Sequence, residues 1–181
     1  MTAPPGLLER ARSGEAEAFR VIFETHAPAV RRFLGDLLRD DAAADEAAQE
    51  TFVRAHARLG TLREEARLST WLFGIARLVS FEQGRLARRE APVEEMPAQI
   101  DRAPTPEAAL LGGEADRVLG EALGALDAER RAALLLRLDH GLGYAEIAEA
   151  MGWPLQKVKN EIHRARLQLR ARLSGYLEEK P

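Results

Sequence analysis

Hydrophobic positions recur every three to four residues along most of this chain, and period-two alternation is nowhere sustained. The pattern predicts helices rather than strands. Leu7, Leu8 and Ala11 open a short helix that Ser13-Gly14 interrupts. Ala18, Phe19, Ile22 and Phe23 form one face of a second helix from about Glu15. Pro28 marks a kink or a restart, and Val30, Phe33, Leu34, Leu37 and Leu38 continue the stripe. A third helix is expected from about Ala42 to Arg58, with Ala48, Phe52, Val53 and Ala55 inward. The charged stretch Leu59 to Leu68, which holds Gly60, reads as a loop. Ser69 is placed to cap a fourth helix, whose apolar face is Trp71, Leu72, Ile75, Ala76, Val79 and Leu86.

From Glu90 to about Pro106 the periodicity fails. Pro92, Pro97, Pro104 and Pro106 stand among acids and small residues, the pattern of a semi-extended linker. Thr105-Pro106-Glu107 reads as a helix start, with a cap, a first-turn proline and an acid near the positive helix end. Helical segments follow at about Pro106–Ala125, Asp127–Asp139, Tyr144–Met151 and Leu155–Tyr176. The expected fold is all-α: two small helical domains, residues 1–90 and 107–181, joined by an acidic proline-bearing linker, 91–106.

The segment from Tyr144 to Arg166 has the pattern of a helix-turn-helix. Ile147, Ala148 and Met151 form the inner face of a two-turn helix, Gly152 suits a left-handed helix end, and Pro154 starts the next helix where no amide donor is needed. Leu155, Val158, Ile162 and Leu169 face inward. Gln156, Lys157, Lys159, Asn160, His163 and Arg164 are left outward, where such side chains read base edges in a major groove. Arg170 and Arg172 are placed to hold phosphates. The same pattern also suits an ordinary pair of bundle helices with a solvated basic face.

Charge distribution separates these readings. The net charge is −3, yet Trp153 to Arg172 holds six basic residues against the single acid Glu161. A merely solvated helix usually mixes signs. Residues 92–116 hold six acids against one base. With 181 residues, 46% hydrophobic and 30% charged, the composition is that of a folded protein with room for two modest cores. There is no cysteine, which excludes disulfides and thiolate zinc sites and fits a reducing compartment. His26, His56, His140 and His163 are scattered, and no phosphate loop or dinucleotide motif occurs. No enzyme activity, cofactor or metal is expected. No signal peptide or span of roughly 20 apolar residues is evident, so the expected location is cytoplasmic, without membrane insertion.

Three blocks appear in order: Asp41 to Ala55, with Asp45, Gln49, Glu50, Phe52 and Arg54; Leu68 to Arg77, with Thr70, Trp71, Leu72, Ile75 and Ala76; and the helix-turn-helix ending His163-Arg164-Ala165-Arg166. Together they resemble the ECF (extracytoplasmic function) class of bacterial RNA polymerase sigma factors, over about Leu7 to Leu173. The resemblance implies a transcription initiation factor whose partners are core RNA polymerase, promoter DNA and an anti-sigma factor. Asp45, Gln49, Glu50, Phe52 and Arg54 match the helix that docks on the polymerase clamp helices; core packing is the other reading of Phe52. The loop Leu59–Ser69 and the next helix match the part that recognises the melted minus-ten element, with Leu62, Arg63, Arg77, Leu78 and Arg85 as candidates. Trp71 reads as core. Arg85, Arg88 and Arg89 read as phosphate contacts or as a solvated face. Gln156, Lys157, Lys159, Asn160, His163 and Arg164 match the readers of the minus-thirty-five element, and the linker matches the segment that threads the RNA exit path.

The chain departs from the family pattern in places. Leu78 stands where asparagine is frequent, and Glu82 where aspartate is. Lys157, Asn160 and Glu161 replace threonine, serine and arginine, so that Glu161 either accepts from cytosine or removes a phosphate contact. Gly143 replaces a capping serine. Two other functions fit parts of the sequence: a helix-turn-helix regulator acting without polymerase, and a sigma-like decoy that titrates an anti-sigma factor.

Overall fold

The computed structural model describes residues 6–90 and 114–178, and among them no strand occurs. The first lobe begins with α1 (Leu7–Arg12), which buries Leu7, Leu8 and Ala11 and ends before Gly14 at φ 89°. α2 (Ala16–Leu38) runs unbroken through Pro28. The proline deprives only the carbonyl of Glu24 of its helical donor, and both residues are exposed, so the loss falls on the solvent side of the helix. Arg39, in the left-handed conformation at φ 56°, ends α2 and donates its N–H to the Gly35 carbonyl at 2.8 Å. α3 (Asp41–Arg58) is capped by Asp40, whose carboxylate accepts from the Ala43 N–H at 3.1 Å.

The expected loop contains two short 3-10 turns, Leu59–Thr61 and Glu65–Arg67, before α4 (Leu68–Glu90). Ser69 is not the cap: the helix starts one residue earlier, at buried Leu68, and the Ser69 hydroxyl lies 3.4 Å from His26 Nδ1.

The first-lobe core joins Ile22, Val30, Phe33 and Leu34 of α2, Phe52 of α3, and Leu72 and Val79 of α4, all buried. Each such side chain contributes roughly 1.5–3 kcal/mol on leaving water. α3 meets its neighbours through Ala44, Ala47, Thr51, Phe52 and Ala55. That row turns Val53, about 100° around the helix from Phe52, outward. Val53, Phe23 and Leu86, expected inward, are exposed.

The second lobe comprises α5 (Glu114–Gly124), α6 (Ala128–Leu138), α7 (Tyr144–Met151) and α8 (Leu155–Glu178). The expected helix start at Pro106 and the expected linker 91–106 lie outside the described residues. Asp127 caps α6, accepting from the Arg130 N–H at 2.9 Å. Leu126, Leu134, Leu136, Ile147, Met151, Val158 and Ile162 fill this core. The lobes touch: α4 packs on α7 and α2 on α6, and their buried residues form one continuous cluster.

Candidate nucleic-acid interface

The helix-turn-helix is α7, the turn Gly152–Pro154, and α8. Gly143 offers no side-chain cap, but its N–H donates to the Glu146 carboxylate at 2.6 Å, which satisfies one end of the helix start. At the other end Gly152 adopts φ 64° and the Trp153 N–H donates to the Ala148 carbonyl at 2.9 Å. Glycine adopts this left-handed conformation without the cost that a Cβ brings. Ile147, Met151, Val158, Ile162 and Ala165 lock the two helices from within. Leu155, expected inward, is exposed at the start of α8, and Leu169 is buried.

This scaffold leaves Gln156, Lys157, Lys159, Asn160, His163 and Arg164 exposed along α8. Gln156 Nε2 donates to Asn160 Oδ1 at 3.0 Å, and the Lys157 ammonium sits 4.0 Å from the centroid of the Trp153 ring. Both contacts orient polar groups before any ligand arrives. Glu161 is turned toward α6: it accepts from Arg130 Nε and Arg164 Nη1, each at 2.8 Å. Its hydrogen bond with Arg130 holds the carboxyl below the usual carboxylate range. The one acid of the stripe therefore ties α8 to α6 and steers Arg164, and the outer face stays basic.

In the first lobe, Arg63 and Arg85 are exposed, whereas Leu62 is buried beneath the loop. Arg77 is half-buried. Its Nε donates to the Ala150 carbonyl at 3.2 Å, and its guanidinium lies 5.5 Å from the Phe81 ring centroid. Desolvation pushes its pKa down from the ordinary arginine value. Leu78 is exposed and, with Trp71, Gly74 and Arg77, lines a cleft of about 560 Å³ between α4 and the end of α7. Trp71 is partly buried against the core. Of Arg88 and Arg89 only the helical backbone is described.

The residues expected to dock on protein divide by position. Asp45 and Gln49 lie on the outer face of α3, and Asp45 accepts from Arg31 at 2.5 Å. Glu50 and Arg54 lie toward α4: Arg54 donates to Glu50 at 2.7 Å and to Glu82 at 2.6 Å, bridging α3 and α4. Phe52 lies underneath, 4% exposed, and packs edge-on against Phe23 with ring centroids 4.8 Å apart. The outer row continues instead through Val53, 64% exposed; Phe23 on α2 is 43% exposed. The spacing of Asp45, Gln49 and Val53 by four residues was the available signal for that row. No helix among the described residues is long and apolar enough to cross a membrane, and none of their side chains group as a metal site.

Comparison with known proteins assigns both lobes. The family model for Sigma-70 region 2 matches residues 22–90, and that for Sigma-70 region 4 matches residues 116–169. The chain is 31% identical over 168 residues to the ECF RNA polymerase sigma factor SigL of Mycobacterium tuberculosis, covering 90% of this chain and 93% of SigL. It is 28% identical over 184 residues to the RNA polymerase sigma-H factor of Pseudomonas aeruginosa, covering 96% of this chain and 95% of that protein. The structure of the sigma factor RpoE in complex with the anti-sigma factor NepR from Bartonella quintana matches with a TM-score of 0.70 at 26% identity, over 88% of this chain and 98% of RpoE. With both regions matched in order and relatives aligned along almost its full length, the chain belongs to the ECF class of sigma-70 RNA polymerase sigma factors.

Proposed function

We propose that this sigma factor works in the cytoplasm as a clamp across a promoter, seated on core RNA polymerase and held in check by an anti-sigma factor. The outer row of α3, Asp45, Gln49 and Val53, docks on the polymerase together with exposed Phe23 of α2; Phe52 supports it from beneath, and Glu50 and Arg54 fix α3 against α4. Arg63, Arg77, Leu78 and Arg85 receive the melted minus-ten strand, with Leu62 holding the loop in place. Gln156, Lys157, Lys159, Asn160, His163 and Arg164 enter the major groove at minus thirty-five. The initiation chemistry belongs to the polymerase; no catalytic residue is assigned to this chain.

The observation that carries this reading is the exposed row Lys157, Lys159, Asn160, His163 and Arg164 on α8, with Glu161 held aside by Arg130. A bound anti-sigma factor in the RpoE structure supports the same kind of partner here. The test is run-off transcription with purified core enzyme and a genomic promoter library. Addition of the chain yields new start sites, and Gln49→Ala with Val53→Asp abolishes them together with polymerase co-purification. If core enzyme gains no promoter-directed initiation from the folded chain, the proposal is wrong. A regulator acting without polymerase would bind duplex DNA specifically but start no transcript, and a decoy would do neither.

A further inference from the structure

Glu161 stands in α8 where the family pattern often has arginine, and its surroundings give the acid a definite task. Oε2 accepts from Arg130 Nε and Oε1 from Arg164 Nη1, each at 2.8 Å, so both carboxylate oxygens are engaged. The Glu161 side chain is 14% exposed, against 63% for Arg164. The carboxylate is recessed, and the arginine it holds projects into solvent.

The anchor lies on another helix. Arg130, in the first turn of α6, also donates from Nη1 to Gln168 Oε1 at 2.8 Å, and its Nη2 lies 3.6 Å from Asp127 Oδ2. Glu161 and Gln168 are seven residues apart, so they share one flank of α8, and a single planar guanidinium spans both. Asp127 is itself fixed, because it caps α6. An exposed ion pair three residues apart on a helix holds little by itself. Here the acid cannot swing with the arginine, since a neighbouring helix fixes it. Only Nη1 of Arg164 is taken. Its Nε–Nη2 edge has no partner among the described residues and offers two parallel N–H donors. That fork matches the N7 and O6 acceptors of guanine in a major groove. A braced fork loses less freedom on pairing than a mobile one.

We infer that Glu161 is a positioning residue for the minus-thirty-five contact: held by Arg130, it orients Arg164 toward a guanine and so sets the preference at one base pair. The inference deepens the proposed function and rests on the placement of α8 in the major groove. In this role Glu161 makes no base contact of its own, and Arg130 acts on the DNA only through the two side chains beyond it.

The test uses the full chain with core polymerase and a promoter library randomised across the minus-thirty-five element, with transcripts counted by sequence. The parent should favour guanine at one position by about tenfold or more, and Arg164→Ala should erase that preference. Glu161→Ala should lower it at least about threefold at the same position, and the double variant should be no worse than Arg164→Ala alone. Arg130→Lys keeps the charge but cannot span Glu161 and Gln168 together, so it should relax the same position. A purely structural tie between α8 and α6 would instead lower output at all sequences alike and leave the preference intact. The inference is overturned if folded Glu161→Ala or Arg130→Lys keeps the parent preference, or if Glu161→Ala relaxes a different base pair. It is equally overturned if Arg164→Ala, a change at an exposed position, lowers output evenly at all sequences, the mark of a phosphate contact. Those results leave the proposed function standing while the parent still initiates at promoters. No promoter-directed initiation from the folded parent is the separate failure of the function, and the inference goes with it.

Discussion

The two helices proposed to read DNA are presented in opposite ways. α8 turns Lys157, Lys159, Asn160 and Arg164 to solvent, and Arg130 draws aside Glu161, the one acid between Trp153 and Arg172. α4 has part of its reading face against α7, with Arg77 bonded to a backbone carbonyl and Gly74 in van der Waals reach of the same residue. The duplex-reading surface is thus open to solvent, whereas the proposed strand-capturing surface is divided: Arg77 is engaged by α7, and Arg63, Leu78 and Arg85 are exposed. The difference suits the order of events at a promoter: duplex is met first, and single strand appears only after melting on the polymerase.

The largest way to break this arrangement is Phe33→Ala. Phe33 is fully buried, carries the α2 core, and forms edge contacts with both Phe73 and His140. Truncation should cost about 3–5 kcal/mol in urea unfolding and should loosen the lobe contact as well. A loss below about 1 kcal/mol would mean that the ring is not a core member. Next in size is Lys159→Ala, which tests the open face alone. Duplex affinity should fall by about 1 kcal/mol and the salt dependence by about one counterion, with no change in single-strand binding. An unchanged salt slope would remove Lys159 from the interface.

The smallest expected effect is on pH dependence. Burial pushes the His140 imidazole below its ordinary value; neighbouring Asp139 opposes this and Arg32 reinforces it. Separation of the lobes would therefore take up a proton, so the lobe contact is favoured most above the usual histidine range, about pH 6.5, and weakens as pH falls below it. Asp36 on α2, pushed up by burial and then by Asp139, acts in the opposite sense at still lower pH, because the chain with its lobes in contact holds that proton more firmly. The distribution of distances between labels on the two lobes of the free chain should broaden modestly between about pH 7.5 and pH 6, and His140→Gln should flatten that change. A change that survives in His140→Gln assigns it to another group.

The contrast between the helices also explains what the sequence disclosed. The helix-turn-helix was legible because its signals are local: Ile147 and Met151 at a spacing of four, Gly152 at the turn, Pro154 after it, and a basic face over less than six turns. α2, α3 and α4 were legible as stripes, but Phe23, Val53 and Leu86 were misplaced, since periodicity defines a wide apolar arc and not which edge of it a neighbour covers. Ser69 looked like a cap, and buried Leu68 started the helix instead. Glu161 read as a base or phosphate determinant because its partner Arg130 lies 31 residues away. The contact of α4 with α7 was invisible for the same reason. Arg77 and Ala150 are 73 residues apart, and nothing in either segment alone specifies the pairing.

The most direct test of the account, in which the lobes meet in the free chain and part on polymerase, is the distance between spin labels on Ala16→Cys in α2 and Ala171→Cys in α8, both at exposed positions. The free chain should give one short, narrow distance distribution, and core polymerase should replace it with a longer one. A free chain that already shows the long distribution, or one that keeps the short distribution on the polymerase, contradicts the account.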